Sequence, residues 1–278
     1  MAYEDVLSVI LNPERDRPAL QAADAIVRPQ GHITALHFEV QPDPVYTADG
    51  VVVAAVWAEV LKHAHEDFQE DHKRLERIAA EGARAIAMRT AIVTPGTLGP
   101  VAAVHARHAD ITVLVRPEEG YADLRNVALD GVLFGSGRPV LLVPPGWKKH
   151  TIGRNVCIGW NGKREASRAV GDAARLLTAA ERVAVVTVDA QPTFEGYGEA
   201  PGADIAAHLA RQGLDVTVRN VDSMGRTDAK ALLDEAEAIA ADLIIVGGYG
   251  HMRLSEYIFG GVTRELSRSS PVPVLMSH

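Results

Sequence analysis

A glycine-rich segment in the last quarter of the chain has the residue types and spacing of a phosphate-binding loop. Residues 247–250 read Gly-Gly-Tyr-Gly, nine further residues follow, and residues 260–263 read Gly-Gly-Val-Thr. Glycines let a backbone approach a ligand closely, and the free N–H groups and positive dipole at the start of a following helix attract phosphate. An isolated Gly-x-x-Gly is also an ordinary turn, but the second glycine pair favours a cradle of backbone groups that needs no lysine.

Other polar clusters in the sequence carry less chemistry. His63, His65 and His72 lie in one amphipathic helical pattern, and their spacing matches no known metal site, so we expect a surface helix and no bound metal. Lys163 follows an apolar strand pattern and is a candidate phosphate contact, although such residues are as often simply solvated. The chain also lacks the P-loop and the acidic pair of a phosphoryl-transfer enzyme.

The chain repeats itself. Residues 109–115 (ADITVLV) reappear as residues 241–247 (ADLIIVG), about 132 positions later, and residues 138–143 match residues 272–277 at a similar offset. A chain of 278 residues is also longer than most single domains. We therefore expect two related domains, over residues 1–146 and 151–278, joined by the Pro/Gly-rich and basic segment 144–150.

Short apolar runs alternate with helical periodicity in each half, which is typical of βαβ units around a parallel sheet. The sequence thus predicts an α/β fold with two Rossmann-like domains, each a five-stranded parallel sheet with helices on both faces. In the second half, the predicted strands are residues 156–160, 183–188, 216–221, 243–246 and 272–276, and the predicted helices are residues 164–180, 202–212, 229–240 and 262–269. A long amphipathic pattern over residues 57–88 predicts a surface helix in the first half.

The Gly-x2-Gly-x9-Gly spacing, the closing Pro-Val-Leu strand and the Trp-Asn-Gly loop after the first strand of the second half together resemble the signature of universal stress proteins. The resemblance is strong over the C-terminal half and weak over the N-terminal half, and it implies the adenine nucleotide alpha hydrolase-like fold. Nucleotide-binding members hold ATP between the ends of the first two strands and the glycine loop. Carried over by position, the implied site comprises Gly159, Trp160, Asn161, Val188, Val246, Gly247, Gly250, Gly260, Gly261, Val262 and Thr263.

Two residues depart from the pattern of the ATP-binding members. Asn161 replaces the usual aspartate, which keeps a hydrogen-bond acceptor but removes a charge that helps hold a metal-bound phosphate. Gly261 stands where those members have Ser or Thr, and its N–H remains able to face a phosphate. The expected ligand is ATP or another adenine nucleotide, with or without Mg²⁺.

The N-terminal half lacks an equivalent loop. Residues 116–121 read Arg-Pro-Glu-Glu-Gly-Tyr, so Glu118 and Glu119 would repel a phosphate, and Pro13 removes an N–H donor after the first strand. We expect this half to have lost the site and to cover the other half as a second subunit does in dimeric relatives. The sequence leaves open whether the resulting pseudo-dimer pairs with a further copy.

Composition and charge indicate which partners and which cellular compartment to expect. A formal net charge of −8 without a basic patch disfavours a nucleic-acid partner, and the first residues lack a signal-peptide pattern. The single cysteine, Cys157, lies in an apolar run and fits a buried strand in a reducing compartment. These features predict a cytoplasmic location without membrane contact.

Three functions are compatible with these residues. The first is a non-catalytic stress-response or regulatory protein that binds an adenine nucleotide, with at most slow ATP hydrolysis because no acidic residue is evident near the cradle to act as a base. The second is a nucleotide-free tandem scaffold, favoured by Asn161 and Gly261. A true hydrolase or nucleotidyl transferase is the least supported.

Overall fold

The computed structural model describes residues 3–44, 54–117, 124–192, 200–248 and 261–278. The first half contains β1 (Tyr3–Ile10), α1 (Pro13–Ile26), β2 (Val27–Val40), α2 (Ala54–Glu81), β3 (Ile86–Val93), α3 (Pro95–Ala106), β4 (Ile111–Val115), α4 (Leu124–Gly135) and β5 (Val140–Val143). The second half contains β6 (Asn155–Gly159), α5 (Arg164–Asp172), α6 (Ala174–Leu177), β7 (Arg182–Val188), α7 (Ala203–Arg211), β8 (Val216–Val221), α8 (Asp228–Ala238), β9 (Leu243–Gly247), α9 (Gly261–Ser269) and β10 (Val274–Ser277).

The strands form one ten-stranded sheet in the order β3-β2-β1-β4-β5-β10-β9-β6-β7-β8. Within each half the strands are parallel and follow the same order, third-second-first-fourth-fifth. The halves meet where β5 pairs antiparallel with β10, with Leu141 opposite Leu275. The predicted fold, two tandem five-stranded domains, is therefore confirmed.

The sheet is covered on both faces, as its continuous apolar strands require. Every residue of β4 is buried, and so is every residue of β9 except its last. One apolar core packs α3, α4, α8 and α9 on one face, and the other packs α1, α5, α6 and α7 on the opposite face. Cys157 is fully buried in β6, as its apolar neighbours predict. Within the described ranges, every helix is too short or too polar to cross a lipid bilayer.

The prediction of one long helix over residues 57–88 was wrong at the C-terminal end. The helix α2 ends at Glu81, just before Gly82, and Met88 belongs to the edge strand β3. An edge strand pairs on one side only and stays partly exposed, so its apolar residues lack the continuous run of a central strand. The sequence therefore did not distinguish β3 from a continuation of the helix.

Candidate functional site

A cavity of about 410 Å³ opens at the carboxyl ends of β6, β7 and β9. The chain runs outward from β6 to β7 and β8, then returns to the other side of β6 to form β9 and β10. Ligands of open α/β sheets bind at such a reversal because the loops on either side of it diverge and leave a crevice. This is the place at which the sequence predicted a nucleotide site.

Nine of the residues predicted for the site line this cavity: Gly159, Trp160, Asn161, Val188, Val246, Gly247, Gly261, Val262 and Thr263. Gly250 and Gly260 lie outside the described residues, as do Glu118 and Glu119 of the first half. The lining also includes Lys163, a candidate from the sequence, and three residues that the sequence did not single out, namely Val186, Asp228 and Leu232.

Packing requires Gly247 independently of any ligand. A Cβ on this residue would lie 2.6 Å from the backbone nitrogen of Ala166, which is too close unless the backbone shifts. Gly247 therefore lets the first turn of α5 close over the end of β9. A Cβ on Gly159 would lie 2.9 Å from the Leu232 Cδ2 atom, the end of a flexible side chain, so Leu232 of α8 packs closely over Gly159 but could move.

Gly261 differs from Gly247 in its described surroundings. No described atom lies within 4 Å of a Cβ built on this residue, at which the nine-residue helix α9 begins. The first N–H groups of a helix have no partner within the helix and carry its positive dipole end. Thr263, in the same turn, is 3% exposed and lines the cavity. The described start of α9 thus borders the cavity, where the sequence predicts a phosphate-binding end.

The side chain of Asn161 is partly engaged within its own loop. Its Oδ1 atom accepts a hydrogen bond from the backbone N–H of Lys163 at 3.1 Å. The N–H of Trp160 donates to the Val186 carbonyl at 2.8 Å. The Oδ1 atom of Asn161 therefore has one lone pair left to accept a hydrogen bond from a ligand. Its amide NH₂ group is a donor that an aspartate would lack.

Glu165 stands in the first turn of α5, beside Gly247. Partial burial acts to raise the pKa of Glu165, but hydrogen bonds from its own N–H and from Arg164, together with the charges of Arg164 and His278, hold the pKa below its usual value. The carboxylate is therefore ionised and engaged within α5, and its lowered pKa makes it a weak proton acceptor.

The first residue after β9 is held by the C-terminal residues of the chain, which in turn contact the first half. The N–H of Gly248 donates to the Ser277 carbonyl at 2.7 Å, and the Nδ1 atom of His278 lies 3.0 Å from the Gly248 carbonyl oxygen. The His278 ring packs edge-on against Phe134 of α4, with ring centroids 4.9 Å apart. The start of the glycine segment is thus supported by a helix of the first half.

Asp228 brings a carboxylate to the cavity. We expected no acidic residue near the cradle, and this expectation was wrong, because the first residue of α8 lies at the carboxyl edge of the sheet. The available signal was local, since Thr227 caps α8 through a hydrogen bond from the Lys230 N–H, and Ser/Thr followed by Asp is a common helix start. The sequence did not indicate that this helix start faces the cavity.

In the first half, internal side chains occupy the equivalent position. One oxygen of Asp16 accepts hydrogen bonds from the N–H groups of Leu11 and Asn12, at 2.7 and 2.8 Å, at the end of β1. The other oxygen pairs with Arg125 of α4 at 2.7 Å. Burial raises the pKa of Asp16, against the lowering effects of Arg125 and of these N–H groups.

The histidines of α2 do not form a metal centre. His72 Nδ1 lies 3.2 Å from His37 Nδ1 of β2, and His65 Nδ1 lies 3.1 Å from Glu39. Over the part of the chain that the structure describes, no three His, Cys, Asp or Glu side chains are grouped to hold a metal ion. These contacts attach α2 to β2.

Comparisons with known proteins agree with this geometry. The sequence model of the universal stress protein family matches residues 153–278. A segment of 57 residues, 20% of this chain, is 35% identical to the stress response protein NhaX of Bacillus subtilis (strain 168), and it spans only 34% of that protein's length. Among solved structures, a universal stress protein from Archaeoglobus fulgidus DSM 4304 superposes with a TM-score of 0.63 at 16% identity, with 98% of this chain and 95% of that chain covered. A protein of unknown function from Pseudomonas aeruginosa PAO1 superposes with a TM-score of 0.53 at 13% identity, with 99% and 92% covered. These similarities over the full length are at the level of the fold.

Proposed function

We propose that the C-terminal half, in which residues 153–278 match the sequence model of the universal stress protein family, binds ATP or a related adenine nucleotide. Through that ligand, the protein acts as a non-catalytic stress-response or regulatory protein. The observation that carries the proposal is the cavity at the carboxyl ends of β6, β7 and β9, onto which the start of α9 opens. Its volume of about 410 Å³ lies within the range of small-molecule sites.

The described lining residues supply groups that suit each part of an adenine nucleotide. Gly261, Val262 and Thr263 supply the start of α9 for the phosphates, and Lys163 adds a positive charge. Val186, Val188 and Leu232 supply an apolar wall for a base. For Mg²⁺ the fit is poorer, because Asn161 brings no charge and the cavity's acidic residue, Asp228, belongs to α8. A magnesium ion would therefore be held mainly by the nucleotide's own phosphates and water.

The first half has a structural role in this proposal. The carboxylate of Asp16 pairs with Arg125 and accepts the N–H groups at the end of β1, so these donors are already engaged within the first half. We propose that the pairing of β5 with β10 joins the two halves as an intramolecular pseudo-dimer, in which Phe134 packs on His278 beside Gly248. We propose a cytoplasmic location and leave any further pairing to measurement.

Isothermal titration with ATP tests the proposal, using a pair of variants of equal size. Gly261→Glu places a negative charge at the start of α9, where the helix dipole tolerates it but a phosphate does not. Gly261→Gln has the same length without the charge. We expect the wild type to bind ATP, the Gln variant to bind it more weakly, and the Glu variant to lose binding.

The opposite result would favour the nucleotide-free scaffold. If the purified protein carries no nucleotide and ATP gives neither heat nor a thermal shift, the cavity is not a nucleotide site. Turnover measured with Mg²⁺ provides a further check, because the proposed non-catalytic role predicts slow or absent hydrolysis.

A further inference from the structure

We propose that Asp228 determines which base the cavity accepts. Its carboxylate accepts a hydrogen bond from the exocyclic amino group of adenine and rejects bases that carry a carbonyl oxygen at the same position. This inference rests on the proposed nucleotide binding and assigns a specificity role to a residue outside the glycine signature.

The placement of Asp228 follows from the packing of α8. Leu232 closes over Gly159 at the end of β6, and α8 packs against both β6 and β7. Residues four apart lie on the same helix face, so Asp228 lies one turn beyond Leu232, towards the carboxyl edge of the sheet. Both residues line the cavity.

The charge of Asp228 is available to a ligand. Arg226 and Lys230, its basic neighbours on the chain, both pair with Asp234, at 2.6 and 2.7 Å. Arg219 of β8 pairs with Glu235 at 3.1 Å. Among the residues that the structure describes, no ion pair engages the Asp228 carboxylate.

The cavity lining combines groups of different chemistry, and these would orient a nucleotide. The start of α9 and Lys163 favour phosphate, whereas a phosphate beside Asp228 would be repelled. Leu232, one turn from Asp228 on α8, lines the same cavity as the apolar residues Val186 and Val188 of β7. A flat base on these apolar residues presents its edge to the carboxylate, which accepts hydrogen bonds and donates none. Adenine offers an amino group at that edge, and hypoxanthine offers a carbonyl oxygen instead.

Asp228 also has an effect that requires no ligand, because an acidic residue in the first turn of a helix interacts favourably with the helix dipole. That effect changes stability in the same way whichever nucleotide is added. Discrimination between two nucleotides that differ at one position therefore separates the two roles.

The experiment compares ATP with ITP, which replaces the adenine amino group by a carbonyl oxygen, by isothermal titration with the full chain. We expect the wild type to bind ATP roughly tenfold more tightly than ITP. With ITP, one hydrogen bond is lost and the carbonyl oxygen of the base faces the carboxylate, so two acceptors oppose each other. Asp228→Asn can donate to the carbonyl, so it should reduce or reverse this preference. Glu237→Gln removes the same charge from an exposed position of α8 outside the cavity, and it should leave the preference unchanged.

Three results would overturn the inference, and one of them would also reject the proposed nucleotide binding. Equal affinities for ATP and ITP in the wild type, or an equal loss for both in Asp228→Asn, would show that the carboxylate does not contact this edge of the base. In the second case, weaker binding of 2′-deoxy-ATP by the wild type would assign the contact to the sugar. If neither nucleotide binds the wild type, the proposed function fails together with this inference.

Discussion

The carboxylate of Asp16 and the guanidinium of Arg125 form a buried ion pair across the first half, with a nitrogen–oxygen distance of 2.7 Å and side chains only 2% and 9% exposed. The partners are 109 positions apart in the sequence. The same carboxylate accepts the N–H groups of Leu11 and Asn12, the counterparts of Trp160 and Asn161. An internal anion thus engages the N–H groups at the end of β1.

Removing one partner of this pair should be costly because it leaves a buried charge without compensation. We expect Arg125→Met to lower the free energy of unfolding by about 3–5 kcal/mol. The double variant Asp16→Leu with Arg125→Met should recover part of that loss, although the N–H groups of Leu11 and Asn12 then lose their acceptor. Urea denaturation of the single and double variants measures the coupling, and a double variant as unstable as the sum of the single variants would contradict the assignment.

A close helix crossing gives a second stability prediction. A Cβ on Gly131 of α4 would lie 2.3 Å from the backbone oxygen of Gly99 in α3. Gly131→Ala should force these helices apart and destabilise the protein by about 2–3 kcal/mol. Gly171→Ala in α5 is the matched control, because a Cβ there meets no described atom within 4 Å, and it should stabilise by about 0.5–1 kcal/mol through helix propensity. Equal effects of the two changes in thermal denaturation would contradict this interpretation.

Acid should weaken the attachment of α2 to β2. His37 is 1% exposed, and burial, followed by the neighbouring His72, lowers its pKa to about 4. Because this value is below that of the unfolded chain, about 6.5, the stabilisation is complete above pH 6.5 and is lost as the pH falls towards 4. From pH 7 to about pH 4.5 we expect a loss of about 2 kcal/mol from this group.

The comparison of wild type with His37→Gln isolates that loss from other titrating groups. Those near His37 are His72 and Glu76 of α2, and Glu39 with its partner His65. All of them remain in the variant. Urea denaturation at both pH values should show a smaller difference for the variant, and an identical pH dependence would exclude His37 as the source.

Restoring a hydroxyl at position 261 should strengthen the proposed nucleotide site. No described atom lies within 4 Å of a Cβ built on Gly261, and a serine there adds one hydrogen-bonding group at the start of α9. We expect Gly261→Ser to bind ATP roughly threefold to tenfold more tightly than Gly261→Ala in isothermal titration. Equal affinities of these two variants would place the phosphates away from this residue.

The parts of the site that the sequence predicted all depend on short-range patterns. Gly159, Gly247 and Gly261 each stand next to the end of an apolar strand or the start of a helical pattern, so their position at the carboxyl edge follows from the βαβ order. Asp228 was missed because its helix reaches the cavity only through the packing of Leu232 on Gly159. The end of α2 was missed because the edge strand β3 is partly exposed.

The sequence by itself determined the repeated βα order, the buried central strands and the glycine positions of the second half, because each depends on periodicity or backbone freedom over a few residues. The tertiary structure decided the antiparallel pairing of β5 with β10, the ion pair of Asp16 with Arg125 and the approach of Asp228 to the cavity. These contacts join residues far apart in the chain, and they depend on how helices and strands fill a common core, which no local pattern encodes.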